Sequence, residues 1–194
     1  MTSVTTPLGA GPAPTLRRLY AVRSGFALVW AVLVFATASG LGPLTAVLLV
    51  LYPAFDVAAG VVDARSSRRT AADGSGNGAV AGLYVNIAIS TLAAVGLVFV
   101  IAAGSGVPGV LRVWGVWAVV AGLVQLVVAV RRRRLGGQWA MIASGAISVL
   151  AGTSFVLMAS NAGASLATVA AYALLGGIFF LVSALRLTRT TRHG

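Results

Sequence analysis

Six apolar runs, separated by short polar or glycine-rich segments, account for most of the chain. A bilayer core about 30 Å thick is crossed by roughly 20 apolar residues in a helix, and each run has about that length. The pattern therefore predicts an all-α integral membrane protein with six transmembrane helices. The predicted helices cover residues 21–39, 44–64, 80–103, 110–130, 139–159 and 166–185.

The segments at the two ends differ from this pattern. Residues 1–15 are rich in Thr, Pro, Gly and Ala and carry no charged side chain, which is typical of a disordered tail rather than of a cleaved signal peptide. Residues 16–187 are then the six-helix transmembrane domain, and residues 188–194 a cytoplasmic tail.

The arginines predict how these helices are oriented. Of the 14 arginines, 13 flank the chain ends or fill the second-to-third and fourth-to-fifth connections, and only Arg112 falls on the other side. Arginine-rich loops stay in the cytoplasm. Both termini are therefore expected to be cytoplasmic, in a multi-pass protein of the inner (cytoplasmic) membrane.

The second and third helical hairpins resemble each other in sequence. A shift of 55 residues places "WAVVAGLVQLVVAVR" (117–131) on "YALLGGIFFLVSALR" (172–186), with six of fifteen positions identical. In the first hairpin, aligning Arg65 with Arg131 puts Asp56 where the copies have Gly122 and Gly177. The predicted architecture is three parallel hairpin repeats, whose small residues allow close helix approach.

Composition excludes several classes of function. The chain is 59% hydrophobic and 9% charged, which is too apolar for a soluble domain of this length, so the lipid bilayer is a partner. It has no cysteine and a single histidine, His193, so neither a metal nor another cofactor is predicted. The net charge of +11 comes from arginines that flank apolar runs, and no nucleic-acid partner is expected. A homo-oligomer is compatible with the sequence.

Two of the three acidic residues lie in the second predicted helix. Asp56 is close to its midpoint, where a charged side chain costs about 2.5–3.5 kcal/mol on insertion scales. Asp63 lies one turn from its cytoplasmic end, where it is either an interfacial acid near Arg65 or a second functional acid. The two share a helix face roughly 10 Å apart. Pro53 is expected to kink the helix and open space nearby.

Other polar and aromatic side chains could contact a guest molecule. Asn86 and Gln125 either tie helices together through hydrogen bonds or line a polar cavity shared with the aspartates. Most of the aromatic residues are packing or interfacial residues, although a ring face can also stabilise a cation. The candidate substrate-binding residues are Tyr52, Phe55, Tyr84, Asn86, Trp117, Gln125, Trp139, Tyr172 and Phe179.

This set of residues suggests a chemistry. A carboxyl group buried among apolar side chains favours its protonated form and can donate a proton. Proton-initiated cyclisation of an isoprenoid needs such a donor, aromatic rings near the carbocation and exclusion of water. Asp56 and Asp63 are therefore the candidate catalytic residues. No DDxxD-like cluster is present to hold Mg²⁺ on a diphosphate, so the predicted route is metal-independent.

The chain resembles two kinds of membrane protein. The stretches "VWAVVAGLVQLVVAVRRRR" and "WAMIASGAISVLAG" resemble the HdeD-like small six-helix proteins, over residues 80–187. That resemblance implies a role in acid stress. The segment "YPAFDVAAGVVDAR" resembles actinobacterial integral-membrane terpene cyclases of the drimentine-pathway type. That second resemblance implies that Asp56 is the acid and Asp63 a second acid or its partner.

Three functional hypotheses follow. The first is a membrane-embedded terpene cyclase, an isomerase or lyase acting on an isoprenoid or prenylated substrate with Asp56 as the general acid. The second is a non-enzymatic HdeD-like acid-stress protein, in which the aspartates are structural or pH-sensing. The third is a proton-coupled exporter of small molecules, against which the absence of an inverted repeat counts.

Overall fold

The computed structural model describes residues 12–70, 77–131 and 139–190, and within them the chain forms six helices. Asp73, the arginines at 132–134 and residues 1–11 of the predicted tail lie outside the described residues. The prediction of an all-α protein with six helices is confirmed. The helices are α1 (Pro12–Thr37), α2 (Pro43–Thr70), α3 (Asn77–Ala102), α4 (Gly106–Arg131), α5 (Trp139–Met158) and α6 (Ala167–Thr190).

The turn between α3 and α4 shows how a hairpin is closed. Gly104 and Gly106 both have positive φ angles, 68° and 62°, which residues other than glycine rarely adopt. The Gly104 amide donates to the Ile101 carbonyl at 3.1 Å, and the Ser105 amide donates to the Val100 carbonyl at 3.0 Å. This is a Schellman motif, which satisfies the last carbonyls of α3 before α4 begins.

The closest helix pairs are formed between hairpins rather than within them. Helix α4 packs most extensively on α5, α1 on α6, and α2 on α3, whereas α5 and α6 barely touch. Each close pair therefore joins an even-numbered helix to the next odd-numbered one, and α6 closes the ring by returning to α1. This recurrence agrees with the predicted hairpin repeat.

Glycines make the α4–α5 contact close. A Cβ atom on Gly152 would lie 2.5 Å from the Gly115 carbonyl oxygen, and one on Gly145 would lie 2.9 Å from the Gly122 carbonyl oxygen. Both distances are far below van der Waals contact, so the two backbones touch without side chains between them. The prediction that small residues permit close approach is confirmed for this pair.

Aromatic side chains fill the centre of the bundle. Six of them form a connected cluster, in which Trp30 stacks on Trp114 at 5.4 Å and Tyr52 lies 4.7 Å from Trp30 between ring centroids. Trp30 and Trp114 are almost fully buried. We call this set the aromatic cluster; it consists of Phe26, Trp30, Tyr52, Phe55, Trp114 and Trp117.

The outside of the bundle is apolar. Leu92, Phe99 and Leu150 are 72%, 71% and 71% exposed. Among the described residues, three helical segments are long and apolar enough to cross a membrane, namely Pro43–Ser66, Val80–Ala102 and Gly106–Val130. The apolar parts of the other helices are shorter, at Ala21–Thr37, Ile142–Met158 and Ala167–Val182.

Candidate functional site

Asp56 lies at the centre of a polar cluster that links three helices. It is the fourteenth of the 28 residues of α2, and Ser90 is at the corresponding midpoint of α3. The Ser90 hydroxyl donates to Asp56 Oδ2 at 2.8 Å, and the Asn86 amide donates to the same oxygen at 2.7 Å. Arg23 of α1 forms a salt bridge with Asp56 Oδ1. The buried charge is thereby paired and hydrogen-bonded, as a charge in such a place must be.

The guanidinium of Arg23 has a second partner. Its central carbon lies 4.9 Å from the centroid of the Phe180 ring on α6, which is within the range of a cation–π interaction. The side chains of Arg23 and Asp56 are only 17% and 12% exposed. Through Arg23 the polar cluster therefore reaches α6 as well as α1, α2 and α3.

A hydrogen-bonded chain joins the polar cluster to the aromatic cluster. The Trp117 indole donates to the Ser90 hydroxyl oxygen at 3.2 Å, and Ser90 in turn donates to Asp56. Tyr52 lies one helical turn before Asp56 on α2 and contacts Trp114 and Trp117 through its ring. Of the aromatic residues that the sequence proposes for the site, Tyr52 and Trp117 therefore lie beside the polar cluster.

The contacts define what the Asp56 carboxyl group does in this arrangement. All three neighbours donate to it, and both of its oxygens are engaged. An ionised carboxylate only accepts hydrogen bonds, whereas a protonated one also needs an acceptor for its own hydrogen. The hypothesis that Asp56 donates a proton stays a prediction, and it requires that the carboxyl group first leave these partners.

Asp56 occupies a position of repeated helix contact. The alignment that places Asp56 on Gly122 is a shift of 66 residues, and it also places Ser24 on Ser90. The shift of 55 residues between the second and third hairpins places Ser90 on Gly145. In the structure these positions meet in each close helix pair. Asp56 accepts from Ser90, Gly122 touches Gly145, and the Gly177 carbonyl accepts from the Ser24 hydroxyl at 2.9 Å. A carboxylate with polar partners therefore replaces a glycine contact in one repeat of three.

Several predicted site residues lie away from the polar cluster. Asp63 is partly buried on α2, and no described side chain forms a hydrogen bond or salt bridge with it. Tyr84 is 43% exposed, with the Arg68 guanidinium 5.1 Å from its ring centroid, and Trp139 is 80% exposed at the start of α5. Gln125 is partly buried and has no hydrogen-bond partner among the described residues. Of the two predicted polar neighbours, only Asn86 reaches Asp56.

The remaining predicted aromatic residues lie in three different places. Phe55 belongs to the aromatic cluster and stacks on Phe26 with centroids 3.8 Å apart. Tyr172 belongs to a separate contact, in which its hydroxyl and that of Ser148 lie 2.9 Å apart and its ring meets Phe155 edge-on. Phe179 is partly buried on α6.

Sequence reasoning missed two members of the polar cluster, Arg23 and Ser90. Arg23 was counted only as a topology determinant, although it lies inside the first apolar run rather than before it. A charged acid at the midpoint of an apolar helix calls for a basic partner. Two arginines fall inside the predicted helices, Arg23 and Arg112, and Arg23 is the one on the arginine-rich side. Ser90 follows Asn86 by four residues and so shares its helix face, which was a usable signal.

A groove runs along the outside of the α3–α4 hairpin. It encloses about 400 Å³ and is apolar except for Arg112. Ala93 and Gly96 form its floor, and a Cβ atom on Gly96 would lie 3.4 Å from Val113. Trp117 borders both this groove and the polar cluster.

The described residues hold no group of three metal-ligating side chains. The chain matches no protein-family model, no curated protein and no solved structure.

Proposed function

We propose that this chain is a multi-pass protein of the inner membrane in which all six helices span the bilayer and both termini are cytoplasmic. Three apolar segments of sufficient length support this proposal, as does the highly exposed apolar surface of α3 and α5. The distribution of arginines supports the orientation. The shorter apolar parts of α1, α5 and α6 would cross the core with their ends extended by arginine and aromatic residues near the interfaces.

Within that membrane protein, we propose a non-enzymatic role for Asp56. Its carboxylate accepts from α1 and α3 at once, and this single observation carries the proposal. A group whose two oxygens are engaged by three neighbours ties helices together. Together with the resemblance to HdeD-like proteins, this supports a protein that preserves membrane integrity under acid stress.

The experiment compares growth of a deletion strain at low pH after complementation. We expect the wild type and the matched control Asp63→Asn to restore growth, because Asp63 forms no salt bridge or hydrogen bond with a described side chain. Asp56→Asn should fail, because it leaves the Arg23 charge unpaired inside the bundle. Protein in the membrane fraction is measured alongside, since this variant should also accumulate poorly.

A double variant distinguishes a structural role of Asp56 from a chemical role of its carboxyl group. Arg23→Gln with Asp56→Asn removes both charges and keeps a hydrogen-bonded pair of similar size. If the double variant accumulates normally and restores growth, Asp56 is structural. If it accumulates normally and does not, the carboxyl group has a chemical role and the non-enzymatic proposal is wrong.

The second candidate is a membrane-embedded, metal-independent terpene cyclase. The specific observation in its favour is the aromatic cluster, which begins one helical turn from Asp56 and would place ring faces beside a developing carbocation. Asp56 would first leave Arg23 and take up a proton, and would then transfer that proton to an alkene carbon or epoxide oxygen of the substrate. The cyclised cation would lose a proton or capture water to give the product. Incubating the purified protein with farnesyl-bearing substrates tests this candidate. Cyclised product that the wild type forms and Asp56→Asn does not would support it. No product from the wild type, or as much product from Asp56→Asn, would reject it.

A further inference from the structure

The α3–α4 groove has the shape and chemistry of a site for one lipid chain. It is lined by aliphatic side chains of both helices and by the small residues Ala93 and Gly96. Leu92 and Val116 on its rims are 72% and 56% exposed, so the groove opens outward from the bundle. Two antiparallel helices normally close such a gap with interdigitating side chains. Here small residues leave it open.

Arg112 gives this groove a charged end. It is the arginine that does not belong to the arginine-rich side of the chain. Its side chain is exposed, and no described acidic residue forms a salt bridge with it. An arginine in an apolar surface extends its charge toward the interface along its aliphatic stem. A phosphate group is the partner that its guanidinium matches best.

The groove spans part of one leaflet. Arg112 lies six residues from the start of α4, and Val120 lies at the inner end, so the groove extends about 12 Å along the helix. Half of a bilayer core is about 15 Å thick. A chain lying in the groove would therefore run from the outer interface toward the middle of the membrane, pass Trp117 and end near Val120.

We propose that the α3–α4 groove binds an anionic phospholipid of the outer leaflet, with one acyl chain over Ala93 and Gly96 and the headgroup phosphate on Arg112. This inference rests on the proposed membrane orientation and not on the proposed role of Asp56. Because Trp117 also donates to Ser90, the bound chain would lie against the residue that supports the polar cluster.

Tryptophan fluorescence can test the site directly. In a Trp139→Phe background the remaining tryptophans are Trp30 and Trp114, at 1% and 0% exposure, and Trp117 beside the groove. The protein is reconstituted into phosphatidylcholine vesicles with a fixed fraction of lipid carrying brominated acyl chains, which quench only on contact. Brominated phosphatidylglycerol is compared with brominated phosphatidylcholine. Flotation with the vesicles is checked first.

We expect brominated phosphatidylglycerol to quench more strongly at equal fraction. Arg112→Gln should reduce its apparent affinity roughly fivefold, the effect of one basic residue at a bilayer surface, while Arg65→Gln should not. Gly96→Leu should reduce quenching by both lipids because it fills the groove, whereas Gly25→Leu, at a position with no neighbour within 4 Å, should not.

Three results would each overturn the proposal. They are equal quenching by the two lipids, a loss of affinity in Arg65→Gln as large as that in Arg112→Gln, and undiminished quenching in Gly96→Leu. A chain that does not float with the vesicles removes this inference together with the membrane assignment. Failure of the Asp56 complementation experiment would leave the lipid result unchanged, so the two proposals fail separately.

Discussion

At the scale of single residues, the pairing of Arg23 with Asp56 explains how a charge is tolerated in the middle of α2. Removing two charges from water is expensive, and their attraction in a buried site roughly offsets that expense. The pair therefore adds little stability over an apolar pair of the same shape. Removing only one partner is different, because the remaining charge is buried without compensation.

A double-mutant cycle measures this asymmetry. We expect Asp56→Asn to lower the free energy of unfolding by about 3–5 kcal/mol, the usual effect of breaking a buried ion pair. The double variant with Arg23→Gln should recover at least half of that loss. SDS-induced unfolding in mixed micelles gives the values. Asp63→Asn is the control and should lose much less than Asp56→Asn, because Asp63 forms no salt bridge or hydrogen bond with a described side chain. Strictly additive losses would show that the two side chains do not interact.

Ser90 is the residue through which Trp117 supports Asp56. Ser90→Ala removes a donor to the carboxylate and leaves the Trp117 indole without its acceptor. We expect a loss of about 1–3 kcal/mol of stability, since buried polar groups are left unsatisfied. The tryptophan emission maximum should also move. Ser154→Ala, on the exposed face of α5, should change neither value. An unchanged emission maximum in Ser90→Ala would contradict the observed hydrogen bond.

Part of this cluster could be predicted from the sequence. An acid at the midpoint of an apolar helix needs partners, and Asn86 was identified as one because it is polar at a similar depth. Gln125 met the same criterion and is not a partner. The two residues differ in the direction in which their side chains point. The depth of a residue can be counted from the sequence, whereas the direction of its side chain depends on how its helix is rotated relative to its neighbours.

At the scale of helices, glycine lets α4 and α5 pack closely. Gly115 and Gly122 of α4 face Gly152 and Gly145 of α5, and backbone atoms lie where Cβ atoms would otherwise be. Such contacts gain van der Waals energy along the whole helix pair. The equivalent place in the α2–α3 pair holds Asp56, so that pair is held by polar contacts in place of backbone approach.

Two glycine substitutions on different helices should have opposite effects. Gly152→Ala puts a methyl group 2.5 Å from the Gly115 carbonyl oxygen and 2.8 Å from the Val119 nitrogen, so neither side can yield cheaply. We expect a loss of about 1–3 kcal/mol of stability, as in overpacked cores. Gly25→Ala has no neighbour within 4 Å and should stabilise α1 by about 0.5–1 kcal/mol through helix propensity. Melting temperatures in detergent measure both, and a stabilised Gly152→Ala would refute the close contact.

The extent of the helices could be predicted only within their apolar parts. Helix α2 was expected to end at residue 64 and continues to Thr70, and α1 begins at Pro12 although its apolar run begins at 21. The arginine and serine residues beyond the apolar runs interrupt the apolar pattern, but they do not end the helix, because both residue types are compatible with a helical backbone. Proline at the first position is itself typical of a helix start.

At the scale of the whole molecule, the charges and the packing of the helices both support the proposed orientation. Two of the three close helix pairs, α2–α3 and α4–α5, are consecutive helices whose connection contains arginines. The third pair, α1–α6, consists of the first and last helices, whose outer ends also carry arginines. The polar cluster links one such pair to α1 and α6. The opposite side carries the short turns and Arg112. The proposed lipid site depends on that side facing outward.

Cysteine labelling can test the orientation because the chain contains no cysteine of its own. Ser105→Cys and Asn161→Cys lie in exposed turns of the side we place outside, and Arg68→Cys lies exposed on the opposite side. A membrane-impermeant maleimide should label the first two in intact cells and the third only after permeabilisation. Equal labelling of all three after permeabilisation is the control for accessibility. Labelling of Arg68→Cys in intact cells would reverse the orientation, since an impermeant reagent reaches a thiol only from the side on which it is added. Arg112 would then face the cytoplasm, and an outer-leaflet lipid could not reach it.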